Sequence, residues 1–313
     1  MDPYKYQNSE SRFNLHLKET TPKWLCYAVD FPTAHPTRYA ENNIAWGEYF
    51  QPRNAQNAPL AILIHGWGDY SVIPCKLLAK TLVKRGIACF ILYLVFHSRR
   101  MPEVIKSRLP VLTAEEWFEG YKISVIDVRQ VVDWAESRAE INKEQIAVIG
   151  VSLGGIISAI AMGIDKRIGA GVFVVAGGNS EKITFKSRRS DFRKRYNYSE
   201  AEYHQNQILY ASYLVEVAEK GFRNVEPPRE FFLTDPMTFG YLLRGRPMLM
   251  LNAFWDEAIP REAALDFWEA CGKPALKWFP ATHASIWLLY PLISRKIGRF
   301  LSSTFGMQNR GSA

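Results

Sequence analysis

The sequence predicts an α/β protein, a doubly wound and mainly parallel sheet with a helical insertion after the strand that ends near Ala176. Three observations carry this. Short apolar, β-branched runs recur at residues 60–64, 88–95, 146–149, 171–176 and 247–252, and each suits a strand covered on both faces. Helical stretches separate the first four of them. The alternation then breaks between Gly177 and Gly245, a connection too long for a plain loop and long enough to hold helices of its own.

The elements follow in order. Residues 1–19 are polar without a clear period and are expected to be loosely held. Residues 24–29 and 44–50 read as strands, and Pro32 and Pro36 keep a helix out of their connection. A turn-rich linker at 51–59 leads to the strand at 60–64. The helix at 73–85 is expected to carry Leu77, Leu78, Leu82 and Val83 on one apolar face, with Gly86 as its stop. After the strand at 88–95, a long helix over 113–137 opens on the capping box Thr113-x-x-Glu116. Within the insertion, a helix at 200–220 is capped by Ser199-x-x-Glu202 and stopped by Gly221, and another opens at Asp235-Pro236 and stops at Gly245. A helix at 261–271, a strand at 275–279 and a terminal helix at 284–301 complete the chain. The expected division is 1–59 as N-terminal strands and linker of the core, 60–177 with 246–304 as the α/β core, and 178–245 as a helical cap.

Composition narrows the class. With 313 residues and 48% hydrophobic content the chain can bury one large core. Its longest unbroken apolar run, 88–96, is about half of what crosses a bilayer. Cys26, Cys75, Cys89 and Cys271 show no C-x-x-C spacing, which argues against a disulfide framework or a zinc site. Free thiols and an N-terminus without an apolar leader run point to a cytoplasmic protein. The net charge of +8 is local: residues 182–196 hold seven cations against Asp191 alone, which is +6 and leaves +2 for the rest. Phe185, Phe192, Tyr196 and Tyr198 interleave with those cations. A solvated loop accounts for the segment best, an anionic substrate or a membrane surface comes next, and nucleic acid is not an expected partner.

Residues 150–154, Gly-Val-Ser-Leu-Gly, fit G-x-S-x-G between an apolar strand and a helical run at 156–162. A serine at the apex of such a turn is exposed in a strained backbone, and its neighbours must be small for strand and helix to approach. A serine hydroxyl also needs a base and a group that orients the base. In a parallel sheet these must lie at the carboxyl ends of strands. Of the six histidines, His16 and His35 precede the core and His204 falls inside an insertion helix. His65, His97 and His283 remain; His283, just after the strand at 275–279, is the expected base, and His65 is expected to prop its own turn. Asp256, after the strand at 247–252, is the expected acid, with the adjacent Glu257 and the more distant Glu181 as rivals. The N–H groups of Leu153 and Trp67 are the expected oxyanion donors, the latter within one residue in the turn 65–68.

Taken together, His65-Gly66-Trp67-Gly68, Gly150-Val151-Ser152-Leu153-Gly154-Gly155, Asp256-Glu257-Ala258-Ile259-Pro260 and Thr282-His283 resemble the oxyanion loop, nucleophile elbow, acid loop and histidine loop of the α/β-hydrolase superfamily. The order Ser, Asp, His is also that of the superfamily. Residues 96–102 are similar to a His-Gly-x-Arg-x-Pro loop of some dienelactone-hydrolase-like and carboxylesterase members, with Ser98 in place of the glycine. The resemblance implies a serine ester hydrolase, lipase-like or acting on thioesters, with Ser152 as nucleophile, His283 as base, Asp256 as its partner, a small-molecule ester as substrate and no cofactor or metal. An amidase or peptidase is a variant of that reading. A ligand binder, lyase or haloperoxidase on the same fold is the competing one.

Overall fold

The structure is a computed structural model, and it describes residues 2–7, 12–53, 56–108, 112–194 and 198–307. Its centre is a nine-stranded sheet made of β1 (Asn14–Thr20), β2 (Trp24–Pro32), β3 (Ile44–Pro52), β4 (Ala58–Ile64), β5 (Ala88–Tyr93), β6 (Ile141–Val151), β7 (Ile168–Val174), β8 (Met248–Ala253) and β9 (Ala275–Phe279), in the order β1-β2-β3-β5-β4-β6-β7-β8-β9. The pairs β1–β2, β2–β3 and β3–β5 are antiparallel, and every later pair is parallel.

The helices are α1 (Val72–Val83), α2 (Glu103–Lys106), α3 (Ala114–Glu136), α4 (Leu153–Ile164), α5 (Ser180–Lys186), α6 (Ser190–Arg193), α7 (Glu200–Lys220), α8 (Gly240–Leu243), α9 (Arg261–Ala270) and α10 (Tyr290–Thr304). Because successive side chains of a strand point to opposite faces, the apolar runs feed two cores. Ile62, Ile64 and Val148 pack with Val125 and Val128 of α3 and Ile160 of α4. Ala61, Leu63 and Ile149 pack on the other face with Leu78 and Leu82 of α1 and Ile293 and Ile297 of α10. This covering of both faces is why the central strands carry almost no polar residue. Among the described residues no helix is long and apolar enough to cross a membrane, and all four cysteines are buried thiols.

Three expectations are corrected. The N-terminal residues are not loose where described: β1 pairs with β2, the buried Tyr4 donates to Leu233 O (2.6 Å), and Arg129 donates to Tyr4 O (2.6 Å). β1 is an edge strand with mostly exposed side chains, held by backbone bonds, so hydropathy carries no trace of it. The helix expected from Asp235 to Gly245 is a 3-10 turn at Pro236–Phe239 followed by α8. Phe239 packs on Gly163 of α4 and Gly240 on Ala270 of α9, and these contacts fix the irregular path. The terminal helix begins as a 3-10 turn, Ser285–Leu289, and becomes α-helical only at Tyr290, just before Pro291, whose missing N–H is tolerated in a first turn.

Candidate active site

Close backbone approach explains the local fold at Ser152. A Cβ on Gly150 would collide with the carbonyl of Gly154, and one on Gly154 with the carbonyl of Ile64 at the end of β4. Ser152 therefore turns at φ 52°, ψ −118°, a left-handed conformation rare for a side chain with a Cβ. Its own N–H bonds Val174 O (2.9 Å) and its carbonyl accepts from Gly155 N (2.8 Å), so the surrounding peptides hold the strain in place.

The structure brings the three sequence-predicted side chains together. His283 Nε2 lies 3.0 Å from Ser152 Oγ, and His283 Nδ1 lies 2.8 Å and 2.9 Å from the two carboxylate oxygens of Asp256. With Nδ1–H donating to the carboxylate, Nε2 is left with its lone pair facing the serine hydroxyl. Asp256 Oδ1 also accepts from the N–H groups of Ala258 (2.9 Å) and Ile259 (2.8 Å), which fix its orientation. The rivals have other tasks. Glu257 accepts from His283 N (3.1 Å) and braces the histidine loop, while Glu181 accepts from Asn206 Nδ2 (2.7 Å) and Gln207 Nε2 (3.2 Å).

The turn after β4 is held by two buried imidazoles. His65 Nε2 accepts from Leu94 N (3.1 Å), and Nδ1 faces Gly66 O (2.7 Å). Burial, with the neighbouring His97 adding to it, lowers the His65 pKa to about 3, so it is neutral near pH 7. His97 Nε2 accepts from Gly68 N (3.0 Å) while Nδ1 donates to Val95 O (2.8 Å). The Gly68 amide is thereby committed to His97. Gly66 packs directly on Ser152, so closely that a Cβ there would fall 3.2 Å from the serine Cβ, and this sets the Trp67 peptide beside the Ser152 turn.

Residues 96–102 support this arrangement from below. Ser98 sits at φ 49°, the conformation for which a glycine is the easy choice. Arg100 is fully buried, pairs with the equally buried Asp127 (2.7 Å), and donates to Tyr93 O (3.0 Å) and Asn42 O (2.8 Å). The sequence motif points to the loop; that Arg100 ties β5, α3 and the β2–β3 connection together is visible only in the fold.

Ser152, Leu153 and Trp67 border a cavity of about 1650 Å³. Trp117, Phe118 and Tyr121 of α3 and Ile183, Phe192, Phe231 and Phe232 of the insertion supply much of its apolar wall. Nothing in the sequence marks these as site residues, apart from the place of Phe192 in the basic segment. The segment is also tied to the loop that holds Asp256: Arg188 N donates to Glu257 O (3.0 Å), and Ser187 Oγ to the same carbonyl (3.0 Å). Arg195 and Tyr196 lie outside the described residues. Among the described residues no group of three or more His, Cys, Asp or Glu is arranged to hold a metal ion.

Comparison with known proteins decides the family. Residues 26–208, more than half of the chain, match the family described as alpha/beta hydrolase domain containing 18. The chain belongs to this family. No curated protein sequence matches it. Solved structures with the same alpha/beta hydrolase fold include an acetyl xylan esterase from Paenibacillus sp. R4, 18% identical with a TM-score of 0.66, over 94% of this chain and 89% of that one. Acetyl xylan esterase 1 from Thermoanaerobacterium sp. JW/SL YS485 is 13% identical with a TM-score of 0.68, over 95% and 90%. A cold-adapted esterase from an Arctic intertidal metagenomic library is 15% identical with a TM-score of 0.58, over 94% and 98%. At these identities the likeness is one of fold.

Proposed function

We propose that this alpha/beta hydrolase cleaves a carboxylic ester or thioester through an acyl-enzyme on Ser152. The observation that carries the reading is the continuous hydrogen-bonded chain Ser152–His283–Asp256, whose serine borders the large cavity. His283 Nε2 takes the hydroxyl proton as Ser152 Oγ attacks the carbonyl carbon, and Asp256 stabilises the imidazolium. The tetrahedral oxyanion receives the N–H of Leu153, the first residue of α4, and the N–H of Trp67; the positive end of the α4 dipole adds to both. His283 then protonates the leaving alcohol or thiol, and a water activated by the same nitrogen releases the acid.

Segment 178–245 acts as the cap of that site, because its aromatic residues Phe192, Tyr198, Tyr210, Phe231 and Phe232 line the cavity that Ser152 borders. The lining holds four Lys or Arg (Lys5, Lys122, Lys194, Arg229) and seven Asp or Glu (Asp2, Glu115, Glu119, Glu181, Asp191, Glu230, Asp235), an excess that disfavours an anionic acyl group, while its aromatic wall suits an apolar one. A volume above the usual range of roughly 300–1,000 Å³ for small-ligand sites favours a bulky acyl group. Hydrolysis of p-nitrophenyl esters from acetyl to dodecanoyl by wild type and Ser152→Ala tests this. The reading expects kcat/KM to rise with acyl length and to vanish in the variant. Equal rates in both proteins contradict the nucleophile, and a sharp acetyl preference contradicts the acyl assignment.

A further inference from the structure

The sheet face opposite α3 and α4 carries a surface pattern that the site does not use. α1 and α10 lie side by side there: Tyr290 Oη donates to Leu77 O (2.8 Å), and the Arg85 guanidinium rests on Gly298. α1 follows parallel strand β4 and α10 follows parallel strand β9, so both start at the edge that holds Ser152 and His283 and run the same way.

Their exposed residues repeat the same arrangement. On α1, Ile73, Leu77, Lys80 and Lys84 follow each other at spacings of four, three and four; Leu288, Leu292, Arg295 and Arg299 do so into and along α10. Such spacing places each set along one side of its helix. In both stripes the large apolar residues come first and the cations follow. Tyr70, 87% exposed, and Leu288, 83% exposed, extend the apolar end. Arg85 and Lys296 add further exposed cations. No Asp or Glu occurs between Tyr70 and Pro102 or anywhere after Glu269. Asp69 directly precedes Tyr70, and Glu48 of β3 is buried and held by Lys18 (2.7 Å) and Lys76 (3.2 Å).

From this we infer that the α1/α10 face docks the protein on an anionic phospholipid bilayer. Five exposed apolar side chains on these two neighbouring helices and their N-terminal leads need a partner, and helices that carry cations but no Asp or Glu select a negative one. With the two helices standing on the bilayer by their N-terminal ends, the helical rise of 1.5 Å puts Lys84 about 10 Å behind Leu77 and Arg299 about 10 Å behind Leu292, a depth that lets the apolar tips enter the acyl boundary while the cations meet phosphates. A second copy of the chain fits less well, since a two-fold contact would set the two cationic borders against each other. The basic segment of the insertion is a weaker candidate for the same partner. There Lys182 pairs with Asp266, Lys186 with Glu262 at 4.0 Å, and Arg189 with Asp191 at 2.8 Å. The inference uses none of the Ser152 chemistry and stands or fails apart from it.

Co-sedimentation of the full chain with vesicles of phosphatidylcholine alone, and with about one third phosphatidylglycerol, is the test. We expect binding to the anionic vesicles at least about tenfold tighter than to the neutral ones, and steeply weakened by salt. Lys84→Glu/Arg295→Glu/Arg299→Glu should abolish the preference, and Leu77→Ser/Leu292→Ser should weaken binding at low salt. Both variants should keep wild-type melting and wild-type hydrolysis of a soluble short ester. Lys182→Glu/Lys186→Glu should bind as wild type. Absent or charge-independent binding, variants that bind like wild type, loss of binding only in the insertion variant, or an α1/α10-dependent dimer without vesicle binding would each overturn the inference.

Discussion

Two connections between neighbouring parallel strands of this sheet differ in almost every respect. From β6 to β7 the chain passes through Ser152 and the 12 residues of α4, nearly all buried. From β7 to β8 it passes through α5 to α8, with long exposed stretches and an open cavity beneath. The first is fixed by backbone meeting backbone at Gly150, Gly154 and Ile64, and nothing larger than hydrogen fits. The second is fixed by side chains. Asp235 accepts from Asn179 N (3.0 Å), Ser180 N (2.5 Å) and Met237 N (3.0 Å), Phe185 stacks on Tyr203, and Tyr210 packs on Phe232. A contact between backbones tolerates no substitution and leaves a mark in the sequence; a side-chain contact has many equivalents and leaves little.

That difference can be broken from either side. The largest effect is expected in the first connection: Ser152→Ala should lower kcat/KM by on the order of 10⁴-fold or more with unchanged melting, since only the hydroxyl is lost. Gly150→Ala should instead cost roughly 3 kcal/mol or more of stability, because its Cβ meets the Gly154 carbonyl. Urea titration of the purified variant measures this. His97→Ala removes the acceptor for Gly68 N and should lower kcat/KM by about 10- to 100-fold, the equivalent of roughly 1–3 kcal/mol for an unpaired buried amide. KM should change little if the turn serves the transition state.

The second connection should respond more gently. Asp235→Ala leaves three N–H groups without their acceptor and should cost roughly 1–3 kcal/mol, with the loss showing first as faster amide exchange at Asn179 and Ser180. If exchange speeds up equally at Leu153 and Ile156, the insertion and the elbow are one cooperative unit and the contrast is lost.

A separate expected effect comes from pH. His65 binds a proton near its ordinary 6.5 in the unfolded chain but only near 3 when folded, because burial and His97 disfavour its charge. Its contribution is therefore fully present above pH 6.5 and is lost as pH falls toward 3, by about 1.4 kcal/mol per unit at most. Denaturation at pH 7 and pH 5, compared with His65→Gln, should show a smaller pH dependence in the variant.

The same contrast explains what the sequence makes legible. Gly150, Ser152 and Gly154 stand out because a turn of that shape admits few residues, and His283 stands out because so few histidines follow a strand end. Asp256 ranks above Glu257 in the sequence only by position, and the structure brings it, not Glu257, to His283 Nδ1. By contrast Trp117, Phe231 and Phe232 look like any core aromatics until the fold sets them around one space. Lys182 and Lys186 read as free charge until α9 brings Asp266 and Glu262 opposite them. β1 and Tyr4 are hidden for a related reason, since backbone pairing and one distant carbonyl hold them.

Everything proposed for the chemistry depends on Ser152 being the acylated nucleophile, activated by His283. Intact-protein mass measurement after brief exposure to a fluorophosphonate, followed by peptide mapping, tests this directly. One adduct is expected on the peptide containing Ser152, formed at least about 100-fold more slowly in His283→Ala and absent in Ser152→Ala. An adduct on another residue, or labelling of His283→Ala at the wild-type rate, would refute the assignment.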